Sequence, residues 1–222
     1  MEQCSAIILA GGASSRMGTD KAFLELDGAP LIARVLERVR ALADDILISA
    51  NDAARFVSLN ARVVPDVIPG AGPLAGICAG LQAAAHEVAI VVACDMPFLN
   101  VGLLEYMRAF ASEYDVVLPQ TERVAGADGI ENKDAPRAKD LSLHPLCAVY
   151  TKRCLAPIRD ALARGDRRMI SFHDAVRVRV ISPQEVAQFD PRGDALWNVN
   201  TPDKWDAVQK MYRQEFSRGR AK

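Results

Sequence analysis

Residues 9–21 bring together, in one short segment, groups of the kinds that hold phosphate in proteins. Gly11 and Gly12 have no side chains, so backbone N–H groups at this point can approach an anion closely. Two serine hydroxyls follow, then Arg16, whose guanidinium can pair with a phosphate, and Lys21, a compact point charge. The combination predicts a cradle for several phosphates of one nucleotide. The alternative is a glycine turn beside unrelated surface cations.

Two other phosphate-binding motifs are excluded by their spacing. The dinucleotide fingerprint needs G-x-G-x-x-G, and no glycine follows Gly11 or Gly12 at that spacing. A P-loop needs Gly-Lys followed by Ser or Thr, whereas Gly18 is followed by Thr19 and Asp20.

A carboxylate follows the most apolar run of the sequence. Residues 88–93 are typical of a strand at the centre of a parallel sheet, and Asp95 comes just after them. Ligands bind outside the carboxyl ends of such strands, and the glycine-rich segment leaves the predicted first strand, residues 6–10, at that edge. A carboxylate would repel a triphosphate unless Mg²⁺ bridges the two. We therefore predict a Mg²⁺ site on Asp95; the alternative is a cap of the helix after Pro97.

Two further segments carry polar groups that could serve the same site. Asp66 follows a predicted strand, and the glycines after it would let a helix N-terminus lie close to a ligand. The alternative is an ordinary strand-to-helix loop. Asn198 and Asn200 alternate along an extended stretch, so both amides should point the same way. They serve a polar site or, alternatively, hold the turn before a helix at Pro202, for which Thr201 is the natural cap.

Three residues are candidates for binding a second substrate, the acceptor. His144 is expected to open a strand, where its ring makes either a core hydrogen bond or a substrate contact. Arg167 and Arg168 form a paired cation in a loop, which binds a phosphate of the acceptor or is merely solvated.

The elements that must position these residues alternate between strand and helix. Alternation of this kind predicts right-handed βαβ units and an α/β fold, a Rossmann-like, mostly parallel sheet with helices on both faces. An Asp-Gly turn is expected at residues 27–28, and Asn100 is expected to cap a helix. Strands are predicted at residues 6–10, 45–49, 61–64, 88–93, 116–118, 145–150 and 176–181. Helices are predicted from residues 30, 73, 100, 153 and 202. We expect one domain over residues 1–216, with a polar surface excursion at 121–142 and a basic tail at 217–222.

The composition of the chain limits the classes of partner that it is expected to bind. The 222-residue chain has a formal net charge of −1, which argues against a general nucleic-acid or anionic-membrane binder. No apolar run approaches the ~20 residues that a membrane-spanning helix needs. The five cysteines are odd in number and form no C-x-x-C pair, so we expect reduced thiols and a cytoplasmic location.

Six blocks carry a resemblance to a known family. Together they resemble the molybdenum cofactor guanylyltransferases, the MobA family. They are residues 9–21, 72–76, 94–97, 144–145, 165–168 and 198–202. The first block alone is shared by sugar-nucleotide, isoprenoid and cofactor nucleotidyltransferases. The Cys-Asp-Met-Pro and Asn-Val-Asn-Thr-Pro blocks make the resemblance narrower. The implied fold is that of the nucleotide-diphospho-sugar transferases.

The resemblance implies transfer of GMP from GTP to the terminal phosphate of molybdopterin-bound molybdenum cofactor, which gives the guanine dinucleotide form and pyrophosphate. It implies Mg²⁺ on Asp95, with Asn198 and Asn200 near the metal and the acceptor. It leaves open partner proteins that deliver the cofactor or act as molybdoenzyme chaperones. Ser49 stands where family members often have Asn. The implied GTP ligands are the main chain of Leu9, Ala10 and Gly11 and the side chains of Lys21, Asp66 and Asp95.

The expected mechanism needs no general base, because the attacking oxygen of an acceptor phosphate is already ionised at neutral pH. Catalysis should rest on in-line positioning and on charge neutralisation by Arg16, Lys21 and the metal on Asp95. Two alternatives stay open. One is a cytidylyltransferase for the same cofactor, or a relative that uses another phosphorylated acceptor. The other is a non-catalytic nucleotide-sensing protein on the same fold.

Overall fold

A computed structural model describes residues 3–11, 20–122 and 141–219, with the side chains of the last helix described to residue 213. The strands are β1 (Ser5–Leu9), β2 (Glu25–Leu26), β3 (Ala29–Pro30), β4 (Asp45–Ser49), β5 (Arg62–Val64), β6 (Val88–Ala93), β7 (Val116–Glu122), β8 (Leu141–Leu143), β9 (Cys147–Thr151) and β10 (Val178–Ile181). The α-helices are α1 (Leu31–Arg40), α2 (Pro73–Ala83), α3 (Val101–Arg108), α4 (Leu155–Ala163), α5 (Pro183–Phe189) and α6 (Pro202–Gly219). Short 3-10 segments occur at Lys21–Phe23, Ala53–Leu59, Lys152–Cys154 and His173–Ala175.

The described residues form a central sheet in the order β10-β7-β9-β6-β1-β4-β5, with β8 paired to β7. β1 lies between β4 and β6 and is parallel to both. β4 and β5 are also parallel, as are β7 and β10. β2 and β3 form a separate antiparallel hairpin. The prediction of a mostly parallel α/β sheet is confirmed.

β9 departs from the predicted parallel pattern, because it runs antiparallel to both β6 and β7. A parallel neighbour requires a crossover, usually a helix, whereas the chain returns from β7 through β8, which is antiparallel to it. Thr121 and Ser142 face each other in that ladder. Both ends of the predicted excursion at 121–142 are therefore strand, and residues 123–140 lie outside the described part of the chain.

Helices cover both faces of the sheet, and β1 shows how its side chains are divided between them. Ile8 packs in the cluster that contains the inner faces of α1 and α3, whereas Ile7 packs in the cluster that contains α2 and α4. Both side chains are fully buried, and burial of an Ile side chain contributes roughly 1.5–3 kcal/mol. Successive residues of a strand point to opposite faces, so one apolar run supplies both layers.

Two glycines allow helix α2 to pack directly against the sheet. A Cβ at Gly80 would lie 2.6 Å from Ile7 Cγ2, and a Cβ at Gly76 would lie 2.6 Å from Ser49 Oγ. Real Cβ atoms do not approach other heavy atoms so closely. Gly76 therefore lets the first half of α2 pack against the carboxyl ends of β1 and β4, and Gly80 lets the second half pack against the middle of β1.

The C-terminal helix closes a third, smaller cluster over the β2–β3 hairpin. Val208 and Tyr212 of α6 pack with Leu26, Leu31 and Phe98. α6 continues to Gly219, so the first three residues of the predicted tail at 217–222 are helical. Helix α6, near the end of the chain, therefore packs against residues of the β2–β3 hairpin and the start of α1. No helix in the described ranges is long and apolar enough to cross a membrane.

Candidate active site

The carboxyl ends of β1, β4 and β6 lie side by side and carry the predicted site. Leu9, the last residue of β1, is in register with Ala93 of β6. Cys94 N donates to Leu9 O at 3.1 Å, and Ala10 N donates to Ser49 O at 3.0 Å. The chain after β1 and the chain after β6 therefore leave the sheet as neighbours, as the sequence predicts.

Lys21 joins the N-terminal segment to the chain after β6. It begins the 3-10 turn that follows the glycine-rich segment, and its Nζ lies 3.9 Å from Asp95 Oδ2. The same Nζ donates to Asn200 Oδ1 at 2.7 Å. The side chains of Lys21 and Asp95 are only 16% and 13% exposed. Residues separated by most of the chain thus meet in one partly buried polar cluster.

The Asp95 carboxylate is largely buried, so a bound cation would offset its negative charge. Burial raises the pKa of this carboxyl above its ordinary value, and Lys21 offsets part of the increase. A largely buried carboxylate offers the hard oxygen ligand that Mg²⁺ prefers. Among the described residues no group of three or more His, Cys, Asp and Glu side chains could hold a metal. Mg²⁺ sites often need only one or two carboxylates because substrate phosphates and water complete them, so the residues present fit the ion.

Asn198 and Asn200 lie on either side of a buried residue, Val199. Val199 is fully buried, and its N–H donates to Asp95 O at 3.0 Å, whereas the two asparagines are partly exposed. This alternation is the one expected of an extended stretch. Thr201 Oγ1 accepts from Lys204 N at 3.3 Å at the start of α6, so the predicted cap is also present. Thr201 rather than either asparagine therefore caps the helix, and the Asn200 side chain instead accepts from Lys21.

Asp66 is held by hydrogen bonds that come from the end of β4 and the residues after it. Ser49 Oγ donates to Asp66 Oδ1 at 3.1 Å, and Asn51 Nδ2 donates to Asp66 Oδ2 at 3.1 Å. Asn51 also accepts from Asp66 N at 3.0 Å. A Cβ at Gly11 would lie 3.7 Å from Asp66 Oδ2, so the N-terminal segment passes beside this carboxylate. Asn51 was not among the predicted site residues, although an amide just past the end of a predicted strand is a signal that the sequence offers.

His144 lies at the same edge of the sheet, farther along it. The ring Nε2 of His144 lies 2.7 Å from Thr121 Oγ1, and the backbone N–H of His144 donates to Pro119 O at 3.0 Å. Burial lowers the pKa of the ring, which favours neutral imidazole. The prediction that His144 opens a strand is wrong, because it lies in the turn between β8 and β9. That turn leads into β9, the strand next to β6, and Ala93 N at the end of β6 donates to Leu146 O of the turn at 2.9 Å.

Arg167 and Arg168 have different surroundings. Arg167 Nη1 donates to Gly70 O at 3.2 Å, which places its guanidinium beside the loop that precedes α2. Arg168 pairs with Asp166 of its own segment, with Nη2 at 2.6 Å from Oδ2. Among the described residues, no hydrogen bond or ion pair joins either arginine to Lys21 or Asp95. Gly12 and Arg16, which the sequence assigns to the phosphate cradle, lie outside the described residues.

A mostly parallel α/β sheet with Lys21, Asp95 and Asn200 close together at its carboxyl edge is the arrangement expected of a nucleotidyltransferase domain. The sequence model of the MobA-like NTP transferase domain matches residues 6–178. The chain belongs to this family. The match ends before α5, so Asn198, Asn200 and α6 lie beyond the matched range, although Asn200 contacts Lys21.

Named relatives match almost the whole chain. A probable molybdenum cofactor guanylyltransferase of Pelotomaculum thermopropionicum is 36% identical over 98% of this chain and 97% of its own length. A molybdenum cofactor guanylyltransferase of Desulfosudis oleivorans is 35% identical over 94% of this chain and 96% of its own.

Solved structures show the same fold. The molybdopterin-guanine dinucleotide biosynthesis protein A of Archaeoglobus fulgidus superposes with a TM-score of 0.76 at 23% identity, over 95% of this chain and 99% of that one. A CMP:2-keto-3-deoxy-manno-octonic acid synthetase complexed with CTP superposes with a TM-score of 0.70 at 14% identity, over 96% and 100%. The fold is therefore that of the nucleotide-diphospho-sugar transferases.

Proposed function

We propose that this protein transfers GMP from GTP to the terminal phosphate of molybdopterin-bound molybdenum cofactor, with release of pyrophosphate. The observation that carries the proposal is the position of Lys21, whose ammonium group lies between Asp95 and Asn200 at the common end of β1 and β6. The relatives at 35–36% identity carry the name of this activity over nearly their whole length.

The nucleotide would lie along the carboxyl edge from β4 to β6. The main chain of Leu9, Ala10 and Gly11 would border the phosphates. Because Ala10 N already donates to Ser49 O, the N–H groups for the phosphates would come from Gly11 and Gly12. Asp66 lies beside Gly11 with both carboxylate oxygens oriented by neutral donors, Ser49 and Asn51. An oriented carboxylate is suited to accept from the base or the ribose of the nucleotide.

Charge neutralisation would be shared by Lys21, Arg16 and a divalent ion on Asp95, which we propose to be Mg²⁺. The ion would supply Lewis acidity at the phosphates. Lys21 would stabilise the charge that develops at the α-phosphate and on the departing pyrophosphate. The side chains of Lys21 and Asp95 are largely shielded from water, which strengthens such an interaction. Since an acceptor phosphate is already ionised, the chain needs no side chain to remove a proton.

The acceptor would approach from the exposed side of Asn198 and Asn200. Arg167 and Arg168 provide cations for its phosphate, and His144 lies at the same edge as a neutral hydrogen-bonding group. These three residues stay proposals, as do partner proteins that deliver the cofactor or act as molybdoenzyme chaperones. All five cysteines are free, which is typical of the reducing cytoplasm where we place the reaction.

A pyrophosphate-release assay tests the proposal. Purified protein is incubated with each of GTP, ATP, CTP and UTP, with and without molybdopterin-bound molybdenum cofactor, in the presence and absence of Mg²⁺. We expect release with GTP only when both acceptor and metal are present. Faster release with CTP would contradict the guanine assignment. Mg²⁺-dependent GTP binding without turnover in the presence of acceptor would instead indicate a nucleotide sensor.

A further inference from the structure

Arg55 contacts the turn that carries Lys21 from outside the predicted phosphate loop. It lies on the 3-10 segment Ala53–Leu59, between β4 and β5, and its guanidinium forms an ion pair with Asp20. The guanidinium carbon also lies 5.0 Å from the ring centroid of Phe23 and 6.0 Å from that of Phe56. Separations of this size are cation–π contacts. Arg55 therefore contacts the residues on both sides of the Lys21–Ala22 pair.

Asp20 links Arg55 to the direction of Lys21. One carboxylate oxygen of Asp20 pairs with Arg55, and the other accepts from Ala22 N at 3.0 Å as the cap of the 3-10 turn. Ala22 is fully buried, so the turn is anchored on its inner side as well. Lys21 lies between the capping carboxylate and the buried alanine, and its side chain leaves the turn towards Asn200.

The ion pair is too exposed to serve mainly as a source of stability. The Arg55 and Asp20 side chains are 42% and 26% exposed, and such pairs typically contribute about 0–1 kcal/mol. Its effect is therefore geometric, since it holds Asp20, the residue that caps the turn and directly precedes Lys21. A misplacement of about 1 Å at a catalytic group can lower a rate on the order of 10²-fold.

We propose that Arg55 is a positioning residue for Lys21 and acts through Asp20. The proposal rests on the function proposed above, because it assumes that Lys21 acts on the transferred nucleotide. Arg55 itself touches neither Asp95 nor Asn200 in a hydrogen bond or ion pair recorded for the described residues. It acts at the entry side of the turn, where the segment between β4 and β5 packs against Phe23.

A double-mutant cycle tests the inference. Arg55→Met keeps the apolar stem over Phe23 and removes the charge. We expect it to lower kcat for pyrophosphate release about tenfold while KM for the nucleotide changes less than about threefold. In a Lys21→Ala background the same change should lower kcat less than about twofold, because residues that act through one another are not additive. Arg55→Lys should restore most of the loss.

Arg40→Met is the matched control. Arg40 donates to Leu59 O at 3.1 Å, at the far end of the same 3-10 segment, and contacts no part of the turn in a recorded interaction of the described residues. An equal loss in Arg40→Met, or an undiminished loss in the Lys21→Ala background, would overturn the inference. The cycle uses the nucleotide that the wild type turns over fastest, so a preference for CTP counts against the guanine proposal and not against Arg55.

Discussion

Lys21 Nζ donates to Asn200 Oδ1 at 2.7 Å, a contact between residues 179 positions apart in the chain. The contact depends on α6, because α6 follows Asn200 directly and packs on the hairpin that follows Lys21. The first and last quarters of the chain therefore meet in one cluster, in which the Lys21 ammonium group also lies 3.9 Å from Asp95 Oδ2.

Lys21→Ala should lower turnover by about 10²-fold or more, because Lys21 lies 3.9 Å from Asp95, where we propose that the metal and the phosphates bind. Steady-state pyrophosphate release with GTP and acceptor measures this. Lys210→Ala, which removes an exposed lysine of α6, is the control and should stay near the wild type. Near-normal turnover in Lys21→Ala would remove Lys21 from the mechanism.

Asp95→Asn should raise the free energy of unfolding of the ligand-free protein at neutral pH while it abolishes activity. Burial raises the pKa of this carboxyl above 3.8, so the folded state keeps the proton to higher pH than the unfolded state. The free energy of unfolding therefore falls as pH rises from about 3.8 through the raised pKa, and the variant lacks this fall. Urea unfolding from pH 4 to 8, without nucleotide or metal, measures the difference between the two proteins.

Asp115→Asn should change the free energy of unfolding in the opposite direction to Asp95→Asn. Burial alone would raise the pKa of Asp115, but the Arg177 N–H and the Arg153 and Arg177 guanidinium groups outweigh burial and hold it below its ordinary value. Its stabilising effect is present at neutral pH and is lost as pH falls through the lowered pKa. The variant should be less stable than the wild type at pH 7. A similar shift in both variants would refute the assignment of Asp95 as an electrostatically strained carboxylate.

Gly76→Ala and Gly80→Ala should separate nucleotide binding from helix packing. Each added Cβ would lie 2.6 Å from another atom, at Ser49 Oγ for Gly76 and at Ile7 Cγ2 for Gly80. Overpacking typically costs about 1–3 kcal/mol, so both variants should melt at lower temperature. The Gly76 methyl would also lie 3.2 Å from Asp66 Oδ1, so that variant alone should weaken GTP binding. Calorimetric titration with Mg²⁺ and GTP at a temperature where both are folded distinguishes them.

Asn51→Ala should raise KM for the nucleotide about tenfold with little change in kcat, because two hydrogen bonds of roughly 0.5–1.5 kcal/mol each orient Asp66. Initial-rate kinetics at varied GTP concentration check this. Gln82→Ala removes a surface amide of α2 that accepts from Arg159 and serves as the control. An unchanged KM in Asn51→Ala would mean that Asp66 needs no such support.

Features encoded by local interactions were accessible from the sequence. The apolar run at residues 88–93 forms β6 because six consecutive apolar residues must be buried on both faces. Asp27 and Gly28 adopt positive φ angles of 51° and 76°, as a tight hairpin turn requires. Asn100 accepts from Leu103 N at 2.9 Å, as a cap should. Helix α5 was missed, although Ser182 and Glu185 form a capping box that the sequence displays.

The sequence alone determined the strand and helix pattern, the caps and turns, and the set of polar residues that follow the strands, because each depends on groups a few residues apart. Only the tertiary structure decided that β9 is antiparallel, that Asn51 and Ser49 hold Asp66, and that Arg55 contacts the turn of Lys21. These relationships depend on which elements become neighbours in space. That choice follows from burial of apolar surface over the whole chain, which no short stretch of sequence specifies.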